Sequence, residues 1–193
     1  MRNRVIASIL VLGLTLGLAG CELELSTFPS PPTASELQSL HKLAEKGDAK
    51  SQDILGGWYE MGWGLPKDYA EAVKWYRKAA SQGYAWAQYS LGVMYEYGRG
   101  VPQDYAEAVK WWRKAADQGN AFAQISLGVM YEYGQGVPKD YVLADTWFRL
   151  SIPSSTMPSD LEKQMTPKQI AEAKKLASEW KAVGAAPAEA RGR

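Results

Sequence analysis

Apolar positions along residues 85–97 follow the spacing of an amphipathic α-helix. They lie at i, i+4, i+7 and i+8, which places them on one helix face. The residues of this face are Ala87, Leu91, Met94 and Tyr95. Gly98 and a turn rich in glycine and proline follow, and such residues oppose continuation of a helix. The pattern predicts a helix, here called helix A, that stops at Gly98.

A second predicted helix, called helix B, begins after Asp104 and ends at Gly119. Asp104 has the short acceptor side chain that suits an N-cap, and Glu107 three residues later completes a capping-box pattern. The equivalent pairs in the neighbouring units are Asp68 with Glu71, and Asp140 with Leu143. The third unit is therefore predicted to keep the N-cap aspartate and to lack the glutamate of the capping box.

The two-helix pattern repeats with a period of 36 residues. Residues 87–98 return almost unchanged as residues 123–134, and the same offset carries Trp75 to Trp111 and then to Trp147. A fixed period in this range is typical of a stacked array of helix pairs, in which no unit can bury its apolar face alone. We predict that these three tryptophans belong to the core.

Glycine recurs inside helix A at the same period, at Gly56, Gly92 and Gly128. A glycine inside a helix costs about 1 kcal/mol relative to alanine, so its recurrence needs a physical reason. We predict that a neighbouring helix passes too close at these positions for a side chain to fit.

The last predicted helix caps the array. Thr166 and Pro167 fit a helix start, with proline at the first helical position. One apolar stripe follows, formed by Ile170, Ala173, Leu176, Ala177 and Trp180. We expect this helix to shield the last repeat from water, as the terminal units of repeat arrays must.

The first twenty residues have the composition of a secretory signal. Arg2 and Arg4 precede an apolar run that is too short to span a membrane comfortably. Residues 18–21, Leu-Ala-Gly-Cys, resemble a bacterial lipobox, in which the cysteine is lipidated and becomes the first residue of the mature chain. The resemblance implies a lipid on Cys21 and anchoring in the cell envelope. Glu22 favours the periplasmic face of the outer membrane, because aspartate typically stands there in lipoproteins kept at the inner membrane.

These patterns divide the chain into eight predicted segments. They are a lipoprotein signal peptide (1–20), a lipid-anchored Pro/Ser tether (21–34), an N-terminal half-repeat (35–48), three full repeats (49–84, 85–120 and 121–152), a C-terminal cap (153–183) and a flexible tail (184–193).

Charge and cysteine content narrow the function classes. Without residues 1–20, which contain two arginines, the formal net charge falls from +1 to −1, so nothing points to nucleic acid. Cys21 is the only cysteine, so no disulfide framework is available to the mature chain. Stability must therefore come from packing.

The repeated unit resembles the Sel-one-like repeat (SLR) family, whose members are tetratricopeptide-like helical solenoids. The residues that carry the resemblance read Ala-x-x-x-Leu-Gly-x-x-Tyr-x-x-Gly-x-Gly-Val-Pro-x-Asp-Tyr, followed by Ala-x-x-Trp and Arg-Lys-Ala-Ala. The likeness covers roughly residues 35–182. It implies an all-α fold, a right-handed α-solenoid of stacked antiparallel helix pairs with about eight helices and a C-terminal capping helix. It does not specify function, since family members include adaptors, assembly factors, host-interaction proteins and immunity proteins.

Candidate catalytic groups are few. His41 is the only histidine and lies in the half-repeat, where an exposed or capping role suits it better than catalysis. Glu60, Glu96 and Glu132 recur every 36 residues, but a paired-carboxylate hydrolase needs two carboxyls at a defined separation with different pKa values. The Gly-x-Gly turn at residues 98–100 follows a helix and not a strand, so it is not a phosphate loop. We predict no catalytic site, no metal site and no cofactor.

The outward face of helix A is the predicted protein-binding surface, called the helix A strip. Solenoids of this type line their concave surface with helix A, and tyrosines with carboxylates suit peptide recognition. The strip comprises Asp53, Glu60, Met61, Trp63, Tyr89, Val93, Glu96, Tyr97, Ile125, Val129, Glu132 and Tyr133. Two alternatives remain open at this stage: Tyr97 and Tyr133 pack against adjacent helices, and Trp63 packs on the half-repeat below.

The favoured function is a monomeric, lipid-tethered periplasmic module that binds a protein or peptide, contacts the membrane only through its N-terminal lipid and has no enzymatic activity. One alternative is an immunity protein that neutralises an antibacterial toxin delivered to the periplasm. A second alternative is a regulator of envelope or peptidoglycan enzymes.

Overall fold

The computed structural model describes residues 31–151 and 159–183, which form helices without a strand among them. The helices are α1 (Ala34–Glu45), α2 (Ala49–Met61), α3 (Tyr69–Ser81), α4 (Ala85–Tyr97), α5 (Tyr105–Ala116), α6 (Ala121–Tyr133), α7 (Tyr141–Ser151), α8 (Ser159–Glu162) and α9 (Pro167–Val183). The predicted signal peptide, Cys21, most of the predicted tether and the predicted tail lie outside the described residues.

Consecutive helices pack on one another along the chain, as in an α-solenoid. The helix A and helix B pairs are α2 with α3, α4 with α5, and α6 with α7, and each pair stacks on the next. The half-repeat helix α1 packs on α2, and α9 covers α7. This confirms the predicted fold class. The described residues contain nine helical segments where about eight were expected, because the four-residue α8 precedes the cap helix.

The helix boundaries follow from their caps. Helix α4 ends at Gly98, whose left-handed φ of 63° only glycine adopts readily, as predicted. Asp104 accepts a hydrogen bond from the backbone N–H of Glu107, and Asp140 caps α7 in the same way. The predicted capping boxes of α3 and α5 are wrong in their second half, because Glu71 and Glu107 pair with Lys74 and Lys110 instead.

The core is built from large aromatic rings set against small residues. Trp112, Trp147 and Trp180 are almost fully buried, and Trp147 packs edge-on to Trp180 of the cap with 5.0 Å between ring centroids. Trp111 is only partly buried, which corrects its predicted place in the core. Trp75 and Trp147 are covered by helices that flank the three repeats. His41 of α1 lies 6.1 Å from Trp75, and Trp180 of α9 packs on Trp147.

The helix A glycines make room for aromatic rings. A Cβ at Gly92 would lie 2.4 Å from Nε1 of Trp112, and one at Gly128 would lie 2.7 Å from Cε1 of Phe148. At Gly56 the ring is that of Tyr76. The predicted close approach is confirmed, and it is a side chain of the paired helix B, not its backbone, that comes nearest.

Buried glutamines link one repeat to the next. The side-chain amides of Gln52, Gln88 and Gln124 donate to the carbonyl oxygens of Ala44, Ala80 and Ala116 near the ends of the preceding B helices. Each of these carbonyls also accepts a hydrogen bond from the backbone N–H of the glycine that follows its helix, Gly47, Gly83 or Gly119. The glutamine of each A helix therefore supplies a second hydrogen bond to the carbonyl and ties its own repeat to the preceding one.

A buried ion pair attaches the cap. Asp145 is fully buried, and its Oδ1 lies 2.6 Å from Nε of Arg149, whose Nη2 donates to Glu162 of α8 at 2.9 Å. The equivalent arginines Arg77 and Arg113 donate to the tyrosines of the following helix A. Glu162 thus replaces the tyrosine that a further repeat would supply.

Among the residues that the structure describes, none of the helices combines the length and the apolar character that crossing a membrane requires.

Candidate protein-binding surface

The helix A strip is formed by α2, α4 and α6, which present equivalent positions 36 residues apart. Three of its members are well exposed: Met61 at 63%, Tyr97 at 50% and Tyr133 at 64% of their surface. The others are half-buried: Asp53, Glu60, Trp63, Tyr89, Val93, Glu96, Ile125, Val129 and Glu132. The structure therefore favours exposure of the two tyrosines over the alternative in which neighbouring helices cover them.

Part of the strip serves packing. Val93, Val129 and Tyr89 are partly buried and lie against the core cluster that contains Trp112 and Trp147. Trp63 packs edge-on to Trp58 of the adjoining helix α2, with 5.7 Å between ring centroids. This ring contact does not exclude packing of Trp63 on the half-repeat below, which stays a prediction.

An aromatic cluster adjoins the strip and was missed by sequence reasoning. Trp86 and Phe122, each about half exposed, approach to 5.6 Å between centroids, and Tyr89 lies 6.5 Å from Trp86 and 5.9 Å from Phe122. A groove of about 360 Å³ runs beside the two exposed rings at the start of α6. The available signal was that Trp86 and Phe122 are equivalent positions, where the first repeat has Lys50.

The three glutamates of the strip have different partners. Glu60 accepts a hydrogen bond from the Tyr76 hydroxyl at 2.8 Å and pairs with Arg99 at 3.4 Å. Burial raises the pKa of Glu96, and the Tyr97 hydroxyl and the charge of Arg99 only partly oppose this. Burial likewise raises the pKa of Glu132, against the opposing effects of Lys139 and Tyr133. A phenol and a cation thus lie near each of the three glutamates, and among the described residues Glu60 is the one of the three that forms an ion pair, at 3.4 Å from Arg99.

The described residues contain no group of three histidine, cysteine or acidic side chains that could hold a metal ion. His41 lies half-buried between two aromatic rings, at 6.3 Å from Tyr59 and 6.1 Å from Trp75. These contacts give the histidine a packing role at the first repeat.

Asp53 is a carboxylate in an unfavourable environment. Its Oδ1 is buried without a hydrogen-bond partner among the described residues, and burial raises the pKa of Asp53 to about 6. The folded state therefore binds this proton more tightly than the unfolded state. The resulting loss of stability is absent below pH 3.8, grows as the pH rises, and is complete above about pH 6.

Replacing Asp53 with asparagine is therefore expected to stabilise the protein at neutral pH. We expect a gain of about 1–2 kcal/mol in the free energy of unfolding near pH 7.5, falling towards zero near pH 3.5. Urea unfolding of both proteins at several pH values measures the difference, in which all other titrating groups cancel. A gain that does not change with pH would contradict the predicted burial effect.

Comparison with known proteins assigns the family. The family model described as Sel1 repeat matches residues 49–84, 87–120 and 121–152. A Sel1 repeat protein from Oxalobacter formigenes is 38% identical with a TM-score of 0.56, over 59% of this chain and 47% of that one. A protective antigen of uropathogenic Escherichia coli, which displays an SLR fold, is 38% identical with a TM-score of 0.60, over 81% of this chain and 33% of that one.

The chain thus spans about half and about a third of these two solved structures. None of the curated proteins compared with the chain matches it. Three matched repeats, each coinciding with a helix pair of the stack, show that the chain belongs to the Sel1 repeat family.

Proposed function

We propose that this protein is a lipid-tethered periplasmic module that binds a protein or peptide on the outward face of its A helices. Sel1 repeat proteins generally act as protein–protein interaction modules and are typically non-enzymatic scaffolds. The observation that carries the proposal is the cluster of Trp86, Tyr89 and Phe122, which spans two repeats and leaves about half of Trp86 and Phe122 exposed.

Exposed aromatic rings are what a protein-binding surface needs. Each ring offers a large contact area while it loses few rotamers on binding, and such residues dominate the energetics of interfaces. The rings of Trp86 and Phe122 already support each other, so little ordering is left for the partner to impose. Tyr97 and Tyr133 extend the surface along the same helices.

Tethering gives the binding surface a physical role. A lipid on Cys21 would hold the module at a membrane and raise the effective concentration of its partner there. We expect the wild-type protein to sediment with outer-membrane fractions and a Cys21→Ala form to appear in the soluble envelope fraction. Membrane sedimentation of the Cys21→Ala form would overturn the lipid anchor and leave the binding surface untouched.

A crosslinking experiment tests the binding surface. We expect a Trp86→Ala, Phe122→Ala double variant to lose its envelope partner in crosslinked pulldown while its far-ultraviolet circular dichroism stays that of the wild type. Leu43→Ala is the matched control, because Leu43 is equally exposed but lies on α1. An unchanged partner list in the double variant would contradict the proposal. If the captured partner is a secreted toxin, the module is an immunity protein.

A further inference from the structure

At the junction between the first and second repeats, a cation of the chain itself, Arg99, lies near a carboxylate and two aromatic rings. Nη1 of Arg99 lies 3.4 Å from Oε1 of Glu60. Its guanidinium lies 5.0 Å from the centre of the Tyr97 ring and 5.7 Å from that of Tyr69. Lys67 adds a second cation 4.8 Å above Tyr69. One carboxylate and two rings thus surround a guanidinium that stays partly exposed.

The next junction keeps the acceptors of this site and lacks its cations. One period of 36 residues carries Glu60, Tyr69 and Tyr97 to Glu96, Tyr105 and Tyr133. The same shift carries Arg99 to Gln135 and Lys67 to Gln103, and both glutamines are neutral. Gln103 donates to the Tyr105 hydroxyl at 3.1 Å and to the Glu96 backbone carbonyl, not to the Glu96 carboxylate. One repeat further on, Lys139 again lies over its tyrosine, Tyr141, at 4.6 Å.

The Glu96 carboxylate is left without a cation of its own. Arg99 is close enough for its charge to act on Glu96, but its guanidinium pairs with Glu60, and in the described part of the chain Glu96 forms no ion pair. The carboxylate is half-buried and Tyr133 stays 64% exposed. The 36-residue period places the Tyr133 ring as the equivalent of Tyr97, which lies beside Arg99 at the first junction. A cation arriving from outside would therefore meet a half-buried carboxylate and an exposed ring, where attraction is stronger than in water.

We propose that this second junction is a receptor for an arginine side chain of the partner, held by Glu96, Tyr105 and Tyr133 as Arg99 is held one repeat earlier. The proposal rests on the proposed function and names the chemistry of the partner. Arginine fits better than lysine because its planar guanidinium both forks onto a carboxylate and stacks on a ring.

The aromatic cluster adds a distance requirement. Trp86 precedes Glu96 by ten residues on α4, which corresponds to about 15 Å along a helix. An extended peptide covers that distance in about four to five residues. The partner segment is therefore expected to carry an arginine and, about four to five residues away, a large apolar side chain that occupies the groove beside Trp86 and Phe122.

A ligand-free experiment tests the site itself. The variant Gln135→Arg supplies the missing cation from within the chain, and carboxyl ¹³C NMR should show the pKa of Glu96 falling below its wild-type value. Ser81→Arg is the matched control, because it adds the same charge at the exposed end of α3 and should leave that pKa unchanged. An unchanged Glu96 pKa in Gln135→Arg would overturn the proposal.

A random peptide display library, selected on the wild-type protein, tests the ligand. The enriched peptides should contain arginine, and its replacement by the neutral isostere citrulline should weaken binding about tenfold or more. The Gln135→Arg variant should bind the arginine peptide more weakly by the same factor, and it should bind the citrulline peptide as the wild type does. Binders that need Trp86 and Phe122 but tolerate citrulline and Gln135→Arg would overturn the arginine site and leave the proposed function intact. A library without binders would count against both.

Discussion

Replacing Gly100 with alanine is expected to lower the free energy of unfolding by at least about 3 kcal/mol. Gly100 has φ +70°, and a Cβ there would lie 2.3 Å from the backbone oxygen of Tyr69 at the start of the preceding helix B. Neither group can move away easily, because the Cβ would be fixed to the backbone of the turn and the oxygen belongs to the backbone of α3. The methyl group would therefore force two neighbouring repeats apart.

The matched control is Gly119→Ala. Gly119 has a similar φ of +84°, but a Cβ there meets nothing within 4 Å. The free energy of unfolding of this variant should fall only by about 1–2 kcal/mol, which is the cost of the left-handed conformation for a residue with a Cβ. Urea unfolding monitored by circular dichroism gives both values. Equal losses in the two variants would show that the contact between repeats contributes little.

Replacing Gly92 with alanine should have the second-largest effect. Alanine favours a helix over glycine by about 1 kcal/mol, so local propensity alone predicts stabilisation. The methyl group would instead lie 2.4 Å from Nε1 of Trp112, a fully buried ring that donates to the Tyr89 carbonyl at 3.1 Å. Overpacking of this kind costs about 1–3 kcal/mol, and displacement of the ring breaks the hydrogen bond as well. We expect net destabilisation of about 2 kcal/mol.

Gly57→Ala provides the opposite sign in the same structural context. Gly57 lies inside helix α2, and the nearest atom to its added Cβ is Oη of Tyr76 at an ordinary 3.6 Å. The substitution should stabilise the protein by about 0.5–1 kcal/mol. Thermal unfolding with tryptophan fluorescence distinguishes the two variants. A stabilised Gly92→Ala protein would mean that Trp112 repacks without loss.

The helix A glycines illustrate which contacts the sequence could predict and which it could not. The period of 36 residues correctly indicated that Gly56, Gly92 and Gly128 face something close, because a helix tolerates repeated glycine only for a reason. It did not indicate that the close group is a ring of the paired helix B. Adjacent positions on a helix lie about 100° apart, and the apolar face of such a helix is about that wide. Trp111 and Trp112 both fit on this face, so the pattern could not tell which ring is buried.

The candidate surface likewise has features that the sequence predicted and features that only the structure revealed. The strip positions followed from helical spacing, and the exposure of Tyr97 and Tyr133 agrees with them. The cluster of Trp86 and Phe122 was not foreseen, because two residues 36 apart in sequence meet only once α4 and α6 are set side by side. The different surroundings of Glu60 and Glu96 likewise depend on Arg99 reaching back across a repeat junction.

The sequence by itself determined the local structure of this protein: its helices, their caps and turns, and the stacked architecture that a fixed period requires. These depend on contacts within a few residues, or on a repetition visible in one dimension. Only the tertiary structure decided which tryptophan is buried, which carboxylate is paired and which aromatic rings meet on the surface. Those outcomes depend on the distance between successive repeats, and no single repeat contains that distance.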